Sequence, residues 1–164
     1  MKRLSHLDSN GRARMVDVSP KRPTRRQAQA HCTVHLSPHA FDLIETHQLA
    51  KGDVFTIAQI AGVQAAKRTA ELIPLCHPLP IEHVDVRFEP DRGTSTIRVV
   101  VETTTTSKTG IEMEALTATA IASLTLYDMV KAVDPAATMT ELQLVWKTGG
   151  KQGFARRPRC AQPL

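Results

Sequence analysis

Residues 108–131 read KTGIEMEALTATAIASLTLYDMVK, and the side chains there that can move protons or bind charge are confined to the two ends: Lys108, Glu112 and Glu114 at one, Asp128 and Lys131 at the other. Between 115 and 127 no residue is charged. That is the pattern of a helix buried on most sides and too short to cross a membrane. At about 100° per residue, Asp128 falls within about 40° of both Ile121 and Leu124, and Lys131 within about 20° of Leu124. A carboxylate and an ammonium on an apolar stripe cost free energy unless paired or put to use, so they are either a structural ion pair or part of a site. Glu112 and Glu114 have one plain role, favourable charge near a helix N-terminus. Their chemical role would be to accept hydrogen bonds from the amino and ring N–H groups of a guanine-like or pterin base.

Two further sets of residues could join them. His77 follows Cys76 in a loop broken by Pro74 and Pro78, and its titration range suits proton transfer near neutrality; alone it reads more readily as a hydrogen-bonded structural histidine. Lysines recur where elements begin or end: Lys51, Lys108, Lys131, Lys147 and Lys151. Converging on one mouth they would form a strong anion site, and apart they are ordinary solvated surface charge. Metal chemistry finds little support. Cys76 and His77 are adjacent with no second ligand at zinc spacing, and His31 and His35, on one strand face, lie about 13 Å apart. The Gly-Gly-Lys at 149–151 lacks Walker A spacing.

These residues must be positioned by a small domain. The chain has 164 residues, 41% of them hydrophobic but only 4% aromatic, so its core is aliphatic and Ala-rich, and shared burial in an oligomer is favourable. A formal charge of +5 points to an anionic partner. Three cysteines without paired spacing fit a reducing cytoplasm, and no apolar run serves as a signal peptide or membrane span.

In order, 1–29 reads as an extended arm with a short strand at 15–18. Alternation at 30–37 predicts a half-buried strand. Ser37 and Pro38 start a short helix to about 49, and Asp53 caps a longer one over 54–72, stopped by Pro74. Strands follow at 81–89 and 96–104 around a turn at 90–93, then the Ala-rich helix, then a strand in which Leu142, Leu144 and Trp146 share a face. The ordered chain ends in a flexible basic loop at 148–153, and 155–164 is a flexible basic tail containing Arg156, Arg157 and Arg159. The order is β-α-β-β-α-β, an α+β ferredoxin-like domain over 30–154 with a four-stranded antiparallel sheet and its helices on one face. The outer face, with Val100, is left for another subunit to cover.

Six blocks extend the reading: MVDVS at 15–19, KGDV at 51–54, AAKRT at 65–69, LIPLCHPL at 72–79, KTGIEMEALTA at 108–118 and YDMVKA at 127–132. Together, over about 4–153, the chain resembles the cyclic pyranopterin monophosphate synthase family of molybdenum cofactor biosynthesis, its accessory protein C. The resemblance implies a lyase that converts 3′,8-cyclo-7,8-dihydro-GTP to cyclic pyranopterin monophosphate with release of pyrophosphate. It further implies a cytoplasmic homohexamer, a trimer of dimers with active sites at the dimer interface. It puts catalysis on Asp128, Lys131, Lys51 and His77, and substrate contacts on Leu75, Cys76, His77, Met113 and Glu114, with Glu112 beside them and Lys67, Lys147 and Arg26 in support. No resident metal or cofactor is implied; Mg²⁺ would come only with the triphosphate. Gln152 departs from the family's KSGGKSG ending, and nothing beyond Phe154 matches it.

Two other uses of a basic ferredoxin-like domain stand beside this one. A purine-nucleotide-binding regulatory domain would bind GTP analogues without releasing pyrophosphate. A basic RNA-binding module would lose affinity steeply with salt, and is disfavoured because the strands lack paired aromatics for base stacking. No nucleic-acid or membrane partner is expected.

Overall fold

The alternation of small apolar and polar side chains beginning at Thr24 makes β1 (Thr24–His35) the centre of the sheet. The computed structural model describes residues 11–150 and 153–155. After β1 come α1 (Pro38–Glu45), α2 (Val54–Lys67), a four-residue α3 (Thr69–Leu72), β2 (His83–Asp91), β3 (Thr96–Ser107), α4 (Glu112–Val130), β4 (Thr138–Thr148) and β5 (Phe154–Ala155). The sheet order is β2-β3-β1-β4-β5, antiparallel throughout. Its four long strands give the ferredoxin-like order with the main helices stacked on one face. Among the described residues no helix is long and apolar enough to cross a membrane.

Local chemistry explains the element ends. The Ser37 hydroxyl accepts from the Ala40 N–H, with Pro38 in the first turn of α1. The Asp53 carboxylate caps α2 through the N–H groups of Phe55 and Thr56. The helix expected over 54–72 is broken at Arg68, so that its last turn is the separate α3. β1 begins six residues before the expected Ala30, because Thr24 to Gln29 pair with the far end of β3. The hairpin turn falls at 92–95, closed by Asp91, whose carboxylate accepts from Gly93 N–H and the Thr94 hydroxyl. Thr148 of the expected 148–153 loop belongs to β4 and Ala155 of the expected tail to β5, which pairs with β4 at Trp146 and Lys147; Lys151, Gln152 and 156–164, with Cys160, lie outside the described residues.

The core joins β1, β3 and the small-residue side of α4: Val34, Val99, Val101, Ala118, Ala122, Leu126 and Val130 are all fully buried. Thr119 and Ser123, also buried, return their hydroxyls to carbonyls four residues back, so no polar atom of theirs is stranded. Three expectations need correction. The Ile121 and Leu124 side of α4 is not the buried one: Leu124 is 50% exposed, because the Ala, Thr and Ser side lets the helix sit close to the sheet and to α2. Val100, expected to need a lid, is 6% exposed within the chain, flanked in register by His31 and Arg87. Around it the outer face is polar, with Arg87 and Gln29 both bonded to Glu102. Nor do the β4 residues share one face: two register shifts against β1 set Leu144 beside Ala30 and Trp146 beside Gln29, and leave Leu142 48% exposed.

Candidate active site

The two ends of α4 carry two separate clusters. At the C-terminal end, the Lys131 ammonium lies 2.7 Å from Asp128 Oδ1 and the Lys51 ammonium 3.4 Å from Asp128 Oδ2. Lys51 also donates to the Asp128 carbonyl at 2.6 Å, a cation at the negative end of a helix. It gets there because the Asp53 cap starts α2 beside the end of α4, the two helices running antiparallel. Both members of the Asp128–Lys131 pair are more than half exposed, so the cluster is a surface feature and not the buried pair that the helical angles alone allow. Lys131, then Lys51, hold the Asp128 carboxyl below the ordinary carboxylate range, and Asp128 in turn raises Lys131. At neutral pH this is one anion between two cations, a net positive spot open to solvent.

At the N-terminal end, the loop after α3 and the first turn of α4 enclose a cavity of about 470 Å³. Its wall includes Leu75, Cys76 and His77, together with Glu112, Met113 and Glu114. Pro74 ends the helical geometry and sends 75–77 across the front of α4. Glu114 is 4% exposed. Burial, reinforced by the neighbouring Glu112 charge, pushes its carboxyl up to about 7, so at neutral pH it can either give or take a proton. Burial and the nearby Glu114 and Glu112 carboxylates push the Cys76 thiol up as well, which keeps it a neutral wall group and not a thiolate nucleophile.

A smaller polar cavity of about 150 Å³ adjoins it, sharing Gly110 and Glu112 and lined also by Arg26, Lys147 and Gly149. Lys147 pairs with Glu112 Oε1 at 2.6 Å. Glu112 Oε2 and Arg26 Nε are buried with no hydrogen-bond partner in the protein. One wants a donor and the other an acceptor, which suits a polar ligand edge carrying both. Gly149, at φ +85°, allows the approach, since a Cβ there would strike the Arg25 carbonyl and the Arg26 side chain.

The expected site residues thus fall into distinct groups within one chain. Leu75, Cys76, His77, Glu112, Met113, Glu114, Arg26 and Lys147 come together; Lys51, Asp128 and Lys131 come together elsewhere; Lys67 stands exposed in the last turn of α2 and lines neither cavity. From Glu112 to Asp128 the helix advances by 16 residues, about 24 Å. Val16 and Lys21 also line the larger cavity, and no role was read for them. The MVDVS block at 15–19 was the only signal for Val16, and Lys21 lies outside it. Among the described residues no three His, Cys, Asp or Glu side chains converge to hold a metal.

The fold and the two clusters together define a ferredoxin-like α+β domain with a carboxylate-lined cavity at one end of α4 and a cation-rich cluster at the other. The model of the MoaC family matches residues 15–150, and the chain belongs to that family. The cyclic pyranopterin monophosphate synthase of Thermomicrobium roseum is 50% identical over 157 residues, covering 96% of this chain and 95% of that protein. Cyclic pyranopterin monophosphate synthase 3 of Mycobacterium tuberculosis is 53% identical over 154 residues, 94% of this chain and 86% of that protein. The cyclic pyranopterin monophosphate synthase of Herpetosiphon aurantiacus is 49% identical, covering 94% of each chain.

Proposed function

We propose that this chain is a cyclic pyranopterin monophosphate synthase, a phosphorus–oxygen lyase that converts 3′,8-cyclo-7,8-dihydro-GTP to cyclic pyranopterin monophosphate and pyrophosphate in the cytoplasm. It acts as a homohexamer, a trimer of dimers whose active sites lie between subunits. The observation that carries the proposal is the pairing of a buried, proton-sharing carboxylate cavity with an ion cluster about 24 Å away along the same helix. One substrate with a purine-derived base at one end and a triphosphate at the other has use for both, provided that the two clusters come from different chains.

The reaction opens and recloses a ring at carbon and nitrogen, and a hydroxyl then attacks the α-phosphate to displace pyrophosphate. Each step needs a positioned acid or base, and the triphosphate needs cations. In this reading Glu112 and Glu114 hold the base. Glu112 Oε2, already desolvated, accepts from a ring or amino N–H, and Glu114 gives or accepts a proton near neutrality. Leu75, Cys76 and Met113 wall the base, Arg26, Lys147 and Lys67 meet the phosphates, and His77 stands beside them as an acid or base. Lys131 and Lys51 act as acid/base or phosphate-stabilising groups, and Asp128 stays anionic, orienting Lys131 and keeping it charged. No resident metal or cofactor is assigned; Mg²⁺ accompanying the triphosphate would be part of the substrate.

Incubation with the cyclised GTP derivative and a pyrophosphate assay tests this directly. Pyrophosphate is expected from the native protein, and an Asp128→Asn protein, whose change falls on an exposed pair, should stay folded and assembled, bind substrate and lose most of its turnover. Binding without any pyrophosphate from the native protein would overturn the proposal. Loss of folding in Asp128→Asn with normal turnover per folded molecule would return that pair to a structural role.

A further inference from the structure

We infer that the segment 15–19 is a positioning strap that fixes His77 as its Nε2–H tautomer, with Lys108 as its clamp. His77 Nε2 lies 2.8 Å from the Val16 carbonyl oxygen. A carbonyl oxygen can only accept, so Nε2 carries the proton, and the neutral ring keeps its single lone pair on Nδ1. The partner is backbone, so the strap must be held still if it is to hold the ring. Three contacts do so: the Lys108 ammonium donates to the Ser19 carbonyl at 2.9 Å, the Ser19 N–H to Asp17 Oδ1 at 2.9 Å, and the Lys21 N–H to the Val18 carbonyl at 3.0 Å. Ser19 N–H, the largest influence on it, keeps the Asp17 carboxyl ionised and able to close this turn.

The strap is also cavity wall, since Val16 lines the larger cavity beside His77, as does Lys21 just beyond it. Lys108 lines neither cavity, and its ammonium is hydrogen-bonded to the strap at Ser19, which makes it a positioning residue. The consequence for chemistry, which rests on the proposed function, is directional: a neutral His77 can take a proton or accept a hydrogen bond only at Nδ1.

Solid-state NMR of the full-length protein labelled with ¹⁵N-histidine reads the tautomer without turnover, at about pH 8 where an ordinary imidazole is neutral. The His77 signals are identified by their loss in His77→Gln. The native ring should give a pyridine-type Nδ1 and a pyrrole-type Nε2. Lys108→Met and Asp17→Ala, which loosen the strap from two sides, should mix the tautomers, and Lys108→Arg should restore the native pattern. With the cyclised GTP derivative, Lys108→Met should lower kcat by about tenfold, part of the 10²–10⁴ that a positioned acid or base contributes, with KM little changed. A pyridine-type Nε2 in the native protein, or a pattern unmoved in both loosened variants, would overturn the inference. A mixed tautomer with undiminished turnover would leave the strap standing and remove His77 from the proposed chemistry.

Discussion

At the scale of single residues, Glu114 is the most deeply buried carboxylate among the described residues. Its carboxyl sits near 7 in the folded chain and in the ordinary carboxylate range when unfolded. Between those two values the native state holds a proton that the unfolded chain has lost, so stability falls as pH rises through the window, by on the order of 3 kcal/mol, and is level above it. Glu114→Gln removes the titration. Melting temperatures of the native and Glu114→Gln proteins should therefore agree near pH 4 and separate with rising pH, the variant being the more stable at pH 8; parallel curves would refute the burial argument. The residue types were legible in the sequence, since a carboxylate ahead of an uncharged helix invites the question. Its burial was not, because the sequence does not say which side of the first turn of α4 the rest of the fold covers. For Asp128 the helical angle was correct and the burial inferred from it was not, because the sequence does not say which side of an Ala-rich helix faces the sheet.

At the scale of elements, the close approach of α2 and α4 sets the cluster at Asp128, since it brings Lys51 to the end of α4. Gly62 is where the helices touch: a Cβ built there would lie 3.2 Å from Ala122 Cβ and 3.3 Å from the Ala118 carbonyl oxygen and from Val86 Cγ2. Two more methyl groups have nowhere to go, so Gly62→Val should lower stability by about 1–3 kcal/mol in chemical denaturation. Ala122→Gly in the same chain should recover part of the loss, a coupling expected of residues in contact. A Gly62→Val protein as stable as the native one would mean that the helices are not locked there. Element types and order were readable because strand alternation, the Ser37 and Asp53 caps and Pro74 are local signals. The break at Arg68, the early start of β1 and the register shifts of β4 were not, because they depend on pairing across the sheet.

At the scale of the whole molecule, apolar surface left by the fold lies on the helices and near β4, with Ile60 at 53%, Leu124 at 50% and Leu142 at 48% exposure, while the outer sheet face is already closed by polar pairs. α4 is a continuous helix, so no side-chain movement within one chain joins Glu114 to Asp128. If one substrate needs both clusters, Lys51 must come from one subunit and His77 from another. Lys51→Met and His77→Gln proteins, each inactive alone, then give a decisive mixture when co-expressed. In a two-fold dimer that combines one copy of each, one site collects both defects and the other collects none; random pairing makes half of the dimers mixed, so about a quarter of native activity should return. A site built within one chain returns nothing, since every site then carries one of the two lesions. Recovery near a quarter, read as pyrophosphate release from material carrying both affinity tags and corrected for purification of mixed assemblies, supports the shared site. Complete inactivity of mixed assemblies that light scattering finds intact would confine the reaction to one end of α4.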